Sequence, residues 1–243
     1  MTIDYGFEDI SLERAVVTVG SFDGVHAGHR ILLQHLCAMA RRLDAESVVV
    51  TFEPHPRIAM GRGEGMGLLT TLEERAALLE RCGVDRVVVV HFDEEFRNRP
   101  YADFVEQLLV ARLRMVGMVV GYNHRFGRGN EGNFESLRPL AERCGFVVER
   151  VAQYTDSGDK VSSTVIRHLL ESGDMARAAE MLGHPYLIIA MAHAGRISMT
   201  ISEKLMPSDG EYDVRLNGER CRVRVAGREI LAQGVEGRVV IEF

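Results

Sequence analysis

Residues 15–36 read AVVTVGSFDGVHAGHRILLQHL. The stretch opens as a β-branched apolar run at 15–19 and crosses a turn that holds Gly20, Gly24 and Gly28. It then becomes amphipathic, with Ile31, Leu32, Leu36, Met39 and Leu43 at helical spacing. Strand, glycine-rich turn and helix form the unit from which α/β folds are built. A packed core does not ask for an acid and two histidines among glycines, so the turn at 20–29 is a candidate for holding a charged ligand.

The pattern repeats outward from there. Apolar runs stand at 47–52 (SVVVTF), 86–92 (RVVVVHF), 115–121 (MVGMVVG) and 146–151 (FVVERV), each short and nearly continuous, as strands buried on both faces are. Helical segments lie between them. TTLEERAALLERCG (70–83) begins with Thr71 and Glu74 spaced as a capping box and ends on Gly83, a C′ glycine. YADFVEQLLVARL (101–113) predicts one more helix, and RPLAERCG (138–145) repeats the glycine ending. Alternation of this kind, with right-handed crossovers, predicts a doubly wound parallel sheet of Rossmann-like type. Ligands in such sheets bind beyond the carboxyl ends of the strands, where the opening turn falls. After residue 185 the texture changes to alternating apolar and polar residues, with Asn217-Gly218 as a hairpin turn. The expected organisation is a domain over 1–185 and a small antiparallel β module over 186–243.

The chain has 243 residues and a net charge of −6, which argues against a general electrostatic grip on nucleic acid or an anionic membrane surface. No run is long and apolar enough for a membrane span, and the first residues carry no signal-peptide pattern, so a cytoplasmic location is expected. Cys37, Cys82, Cys144 and Cys221 are far apart and form neither a disulfide framework nor a zinc pattern. No metal ligands are assigned, and nothing in the sequence fixes an oligomeric state.

A glycine-rich turn entering a helix offers free N–H groups and the positive end of the helix dipole to an anion. His26 and His29, three apart, share a face there, and Gly28 leaves the backbone open to a phosphate chain. The plainer reading, a βα turn with two exposed histidines, holds for an isolated H-x-x-H. The full pattern goes further: H-x-G-H after the first strand resembles the nucleotidyltransferase superfamily, and G-x-F-D-G-V-H-x-G-H resembles the bacterial FAD synthetases. TFEPHP (51–56), VGYNHRFGRGNEG (120–132) and VSSTVIRHLL (161–170) are similar to further motifs of that family, in order and at strand ends.

The resemblance implies transfer of AMP from ATP, with Mg²⁺ carried on the triphosphate, to FMN, giving FAD and pyrophosphate. It assigns His26, His29, Ser163 and Arg167 to catalysis, the histidines donating to the ATP phosphates and Arg167 offering a cation to the pyrophosphate. Gly20, Ser21, Phe22, Asp23, Gly28, Pro54, His55, Pro56, Asn123, Phe126, Ser162 and Thr164 are the binding residues it implies. Asp23 is expected to brace its own turn by an Asx-type bond, and Phe126 to pack on flavin or close the pocket. His124 stands where the family often has an aromatic residue, and His184 is expected to be a surface or satisfied structural residue.

Relatives in this family carry a riboflavin kinase barrel with a P-T-A-N segment. That segment is absent here, and the residues after His184 are expected to be too few for the complete barrel, leaving a truncated module without kinase activity. A transferase with another phosphorylated acceptor, and a non-catalytic flavin- or nucleotide-binding protein, stay open at this point.

Overall fold

Short β-branched runs bounded by glycine turns become strands, and the amphipathic stretches between them become helices. The computed structural model describes residues 1–61, 63, 65–156 and 159–243. The chain divides into two compact units. The first comprises Met1–Phe22, Gly28–Glu64 and Leu79–Tyr154; the second comprises Asp23–Ala27, Gly65–Leu78 and Thr155–Phe243.

The first unit is built on β1 (Thr2–Tyr5), β2 (Ala15–Val19), β3 (Glu46–Glu53), β4 (Arg86–His91), β5 (Met115–Gly121) and β6 (Val147–Val151). They pair in the order β1-β4-β3-β2-β5-β6, every pair parallel. Five of the six follow the apolar runs. The sixth, β1, comes from TIDY, too short and too polar to announce itself, and lies at the sheet edge beside β4.

The helices, in chain order, are α1 (Ala27–Arg42), α2 (Pro56–Ala59), α3 (Leu72–Arg81), α4 (Glu94–Arg97), α5 (Tyr101–Asp103) and α6 (Phe134–Cys144). The capping box of α3 forms as its sequence predicts: Thr71 N–H donates to Glu74 Oε2 at 2.8 Å and Glu74 N–H to Thr71 Oγ1 at 3.2 Å. α6 ends on Gly145 in the left-handed region, φ 75°. The expected regular helix at 101–113 is different. After α5 it widens into a π-helical stretch, Phe104–Val110. Phe104 and Leu109, five residues apart, both enter the core there, a spacing that the wider spiral accommodates.

Both faces of the sheet are covered, which explains runs without alternation. On one face Val17, Val19, Val48, Val50, Val88, Val90, Met118 and Val120 pack with Phe104, Leu109, Leu137 and Leu140. On the other, α1 buries Leu33, Leu36 and Met39. Gly117 of β5 permits that approach, because a Cβ there would lie 2.8 Å from Met39 Sδ and 3.2 Å from Leu43 Cδ1.

The second unit holds a short antiparallel pair, β7 (Thr155–Asp156) and β8 (Asp159–Lys160), followed by α7 (Ser163–Glu171) and α8 (Met175–Leu182). Then come β9 (Leu187–His193), β10 (Arg196–Ser198), β11 (Gly210–Leu216), β12 (Glu219–Ala226), β13 (Glu229–Leu231) and β14 (Gly237–Glu242). These six close into a barrel, β10-β13-β12-β11-β14-β9. The circuit closes within the few residues after 185 because β10 and β13 have only three residues each, and it includes a strand, β9 (LIIAMAH), that carries no alternating pattern. The β11–β12 hairpin turns on Asn217 and Gly218, φ 50° and 88°, with Leu216 paired to Glu219.

The contact of α1 with β5 sets a prediction. Gly117→Val is expected to lower the free energy of urea unfolding by about 1–3 kcal/mol through overpacking. Met39→Ala in the same chain is expected to restore part of that loss, where independent sites would only add.

Candidate functional site

Strand β2 lies between β3 and β5, so the strand order reverses at its side, the place where open α/β sheets leave a crevice. Three of the four quoted motifs leave the carboxyl ends of these neighbours. Gly20 follows β2 directly, its N–H donating to Val50 O at 3.0 Å. Ser21 O accepts from Thr51 Oγ1 at 3.2 Å. Phe22, at φ 49°, is buried, and its ring meets that of His29 at 5.1 Å between centroids. Gly28 and His29 lie in the first turn of α1, both half-buried.

Beyond β3, Pro54 is half-buried and Pro56 opens α2. His55 is buried and its Nδ1 accepts from Arg57 N–H at 3.2 Å, capping that short helix. A cap is a structural task, and it gives His55 a defined orientation.

Beyond β5, Asn123 is exposed, whereas Phe126 is 8% exposed and belongs to the aromatic core with Tyr101 and Phe104. The side chain expected to pack on flavin or close the pocket is thus largely used in packing the core. His124 stacks on Phe126, with centroids 5.3 Å apart and planes 24° apart. The residue as a whole is half-buried, but its Nε2 is covered and has no hydrogen-bond partner. Burial pushes its pKa down to about 4.

In the second unit, Asp23 is 2% exposed and its carboxylate is surrounded by donors. Thr70 N–H reaches Oδ1 at 2.9 Å and Thr70 Oγ1 the same oxygen at 3.2 Å. Leu69 N–H reaches Oδ2 at 3.2 Å, and Arg167 Nη2 reaches it at 2.6 Å. The expected Asx-type bond within the turn is replaced by these long-range partners, because Leu69 and Thr70 present two successive N–H groups to a bidentate acceptor. Arg167 is buried, its Nε donating to Gly67 O at 2.7 Å. The guanidinium sought for pyrophosphate is therefore already engaged by Asp23 and Gly67.

Ser162 caps α7, its hydroxyl accepting from Val165 N–H at 3.4 Å. Ser163 Oγ donates to Asp23 O at 3.0 Å, and Thr164 is exposed. Asp23 is thus joined directly to Ser163 and Arg167, which follow it by 140 and 144 residues.

His26 is buried, and its pKa is pushed down to about 4, mainly by burial, against the raising effects of a backbone hydrogen bond and of Asp23. A neutral imidazole donates one N–H and keeps one acceptor.

Residues outside the motifs complete this part. His184 Nε2 lies 3.0 Å from Gly24 O. Thr70 Oγ1 accepts from Gly24 N–H at 3.1 Å while it donates to Asp23. Gly24 has φ +82°, and a Cβ there would meet Leu69 Cδ1 at 2.7 Å. Neither His184 nor Thr70 stands in a recognisable site pattern; Thr70 was marked only as the neighbour of the Thr71/Glu74 capping box. No helix among the described residues is long and apolar enough to cross a membrane.

Comparison with known proteins bears on these motifs. A sequence model of the FAD synthetase family matches residues 9–165. The bifunctional riboflavin kinase/FMN adenylyltransferase of Escherichia coli K12 is 35% identical over 216 residues, 85% of this chain and 69% of the relative. That of Listeria monocytogenes is 32% identical over 218 residues, covering 84% and 69%. A crystal structure named as a macrolide-efflux protein from Streptococcus pneumoniae superposes with a TM-score of 0.83 at 23% identity, over 99% of this chain and 88% of the other, which is a likeness of fold.

The buried His124 gives the folded chain a defined acid response. Its folded pKa of about 4 lies below the ordinary value of 6.5, so between those limits the unfolded chain binds more protons. Stability is full above pH 6.5 and falls with acidification toward pH 4. His124→Phe is expected to shrink the loss of unfolding free energy between pH 7 and pH 5 by ~2 kcal/mol in urea titrations. An unchanged loss would mean that His124 is protonated in the folded chain.

Proposed function

The chain belongs to the FAD synthetase family, and on that premise we propose that it is an FMN adenylyltransferase using Mg²⁺-ATP and releasing FAD and pyrophosphate. The single observation that carries this reading is the family's histidine motif, whole, on the turn that leaves β2 at the reversal of strand order.

The reaction suits a site without a covalent nucleophile. A phosphate oxygen of FMN is already anionic near neutral pH, attacks the α-phosphorus of ATP, and the bond to the bridging oxygen of pyrophosphate breaks. Alignment and neutralisation of negative charge are then the main requirements. We assign His26 and His29, at the entrance and first turn of α1, to donate ring N–H groups to the triphosphate. The neutrality of His26 makes it a directional donor rather than a cation, and a bound triphosphate would raise its affinity for a proton. Ser162, Ser163 and Thr164 supply hydroxyl and N–H groups at the start of α7. Arg167 acts mainly through Asp23, fixing the turn that carries His26. Gly20, Ser21, Phe22, Gly28, Pro54, His55, Pro56 and Asn123 shape the nucleotide and flavin positions, and Phe126 holds its loop to the core. We assign the transfer to residues 1–185, place the protein in the cytoplasm, and read 186–243 as resembling a truncated riboflavin kinase module. With no P-T-A-N segment, that module is expected not to phosphorylate riboflavin.

Chromatography of the purified chain with Mg²⁺-ATP and either FMN or riboflavin tests the reading. FAD from FMN, with no FMN from riboflavin, is the expected result; FMN formed from riboflavin would overturn the loss of kinase activity. His29→Ala is expected to lower kcat by about 100-fold or more, the scale of a lost transition-state donor. Its melting temperature should move by no more than about 2 °C. Full turnover in that variant would remove His29 from the chemistry.

A further inference from the structure

One lysine of the second unit lies wholly inside the protein. Lys204 and Glu74 pair at 2.7 Å with both side chains 0% exposed. Lys204 Nζ also donates to Leu187 O at 2.9 Å and to Leu69 O at 2.7 Å, and it lies 4.2 Å from the centre of the Tyr186 ring. Glu74 in turn accepts from Thr71 N–H and, through Oε1, from Ile189 N–H at 2.8 Å. An ion pair so deep costs desolvation that an apolar pair of equal volume would avoid, which leaves room for a task beyond stability.

The Leu69–Thr70 peptide group supplies that task. Its carbonyl accepts from the Lys204 ammonium, and its N–H donates to the Asp23 carboxylate at 2.9 Å. A cation at one end and an anion at the other polarise the peptide in the same sense, strengthening both hydrogen bonds. Flanking main-chain bonds hold the same segment: Leu68 N–H to Glu203 O at 2.7 Å and Leu205 N–H to Leu68 O at 2.8 Å. Asp23 is held on its other oxygen by Arg167 and precedes His26 by three residues.

We propose that Lys204 is a positioning residue for adenylyl transfer, acting through the Leu69–Thr70 peptide on the carboxylate of Asp23 and thereby on the turn that carries His26. The inference rests on the adenylyltransferase reading and gives the barrel segment before β11 a part in it. Lys204 touches neither substrate. It sets where the acid of the histidine motif sits.

The test separates position from stability. Lys204→Met strands the Glu74 carboxylate and is expected to melt early. Adding Glu74→Gln removes the stranded charge and keeps one acceptor, enough for the capping-box N–H though not for Ile189 N–H as well, and should recover part of the melting temperature. In that double variant kcat/KM for ATP is expected to remain about 10- to 100-fold low, the cost of small misplacement, while KM for FMN is unchanged. Activity that returns with the melting temperature would overturn the proposal, as would an equal loss toward FMN. Lys204→Gln, which keeps an N–H for the Leu69 carbonyl, is the second variant, assayed where circular dichroism shows it folded; it should retain more kcat/KM for ATP than the double variant, and retaining less would overturn the proposal. A wild-type chain that makes no FAD would overturn the adenylyltransferase reading itself, and this inference with it.

Discussion

A carboxylate taken out of water must be met by donors on every side, and the burial of Asp23 imposes that demand on the second unit. Two N–H groups of 69–70, the Thr70 hydroxyl and the Arg167 guanidinium converge on it. Each donor has its own support. The 69–70 segment is held by Lys204 and the capping box, and Arg167 is held by Gly67 and the frame of α7. Remove the acid, and four donors are left facing one another without an acceptor, a loss larger than the single side chain suggests. The glycine at 24 then has its reason as well: the turn passes too close to Leu69 for a side chain.

The electrostatics of the motif follow from the same burial. His26 sits in a place where the imidazolium is disfavoured, and the Arg167 guanidinium is paired with Asp23. What the turn itself presents to an anion includes oriented N–H groups and the helix dipole, with a His26 that is neutral near pH 7. Such a site discriminates by direction more than by charge, which suits a reaction whose two substrates are both polyanions.

Most of the parallel sheet was legible because buried strands need continuous apolar residues, and these stand out in a chain otherwise 26% charged. The helix boundaries were legible where capping chemistry was local, as at Thr71/Glu74 and Gly145. Four things were hidden for physical reasons. β1 is an edge strand with little burial, β9 has no regular alternation of buried and exposed residues, β13 has three residues, and the π-helical stretch differs from an α-helix by a shift in spacing that no single residue marks. The closure of the barrel depends on pairings between distant strands. At the site, the histidines and serines were visible as a motif, while Thr70, His184 and Lys204 were invisible, since contacts across 46 to 160 residues leave no local pattern. Arg167 was found for its charge, and its pairing with Asp23 across 144 residues was not legible.

The separation in sequence between Asp23 and its partners has a consequence for how the chain comes into being. Arg167 follows Asp23 by 144 residues, and Lys204 follows Leu69 by 135. At about 5–20 residues per second, a ribosome needs on the order of 7–30 seconds to deliver the arginine after the acid. During that interval the strands β2 to β5 can pair, but the acid must stay in water and the histidine turn has no frame. The parallel sheet is therefore able to mature on the nascent chain well ahead of the turn at 20–29, which gains its frame only once Arg167 and Lys204 have been made.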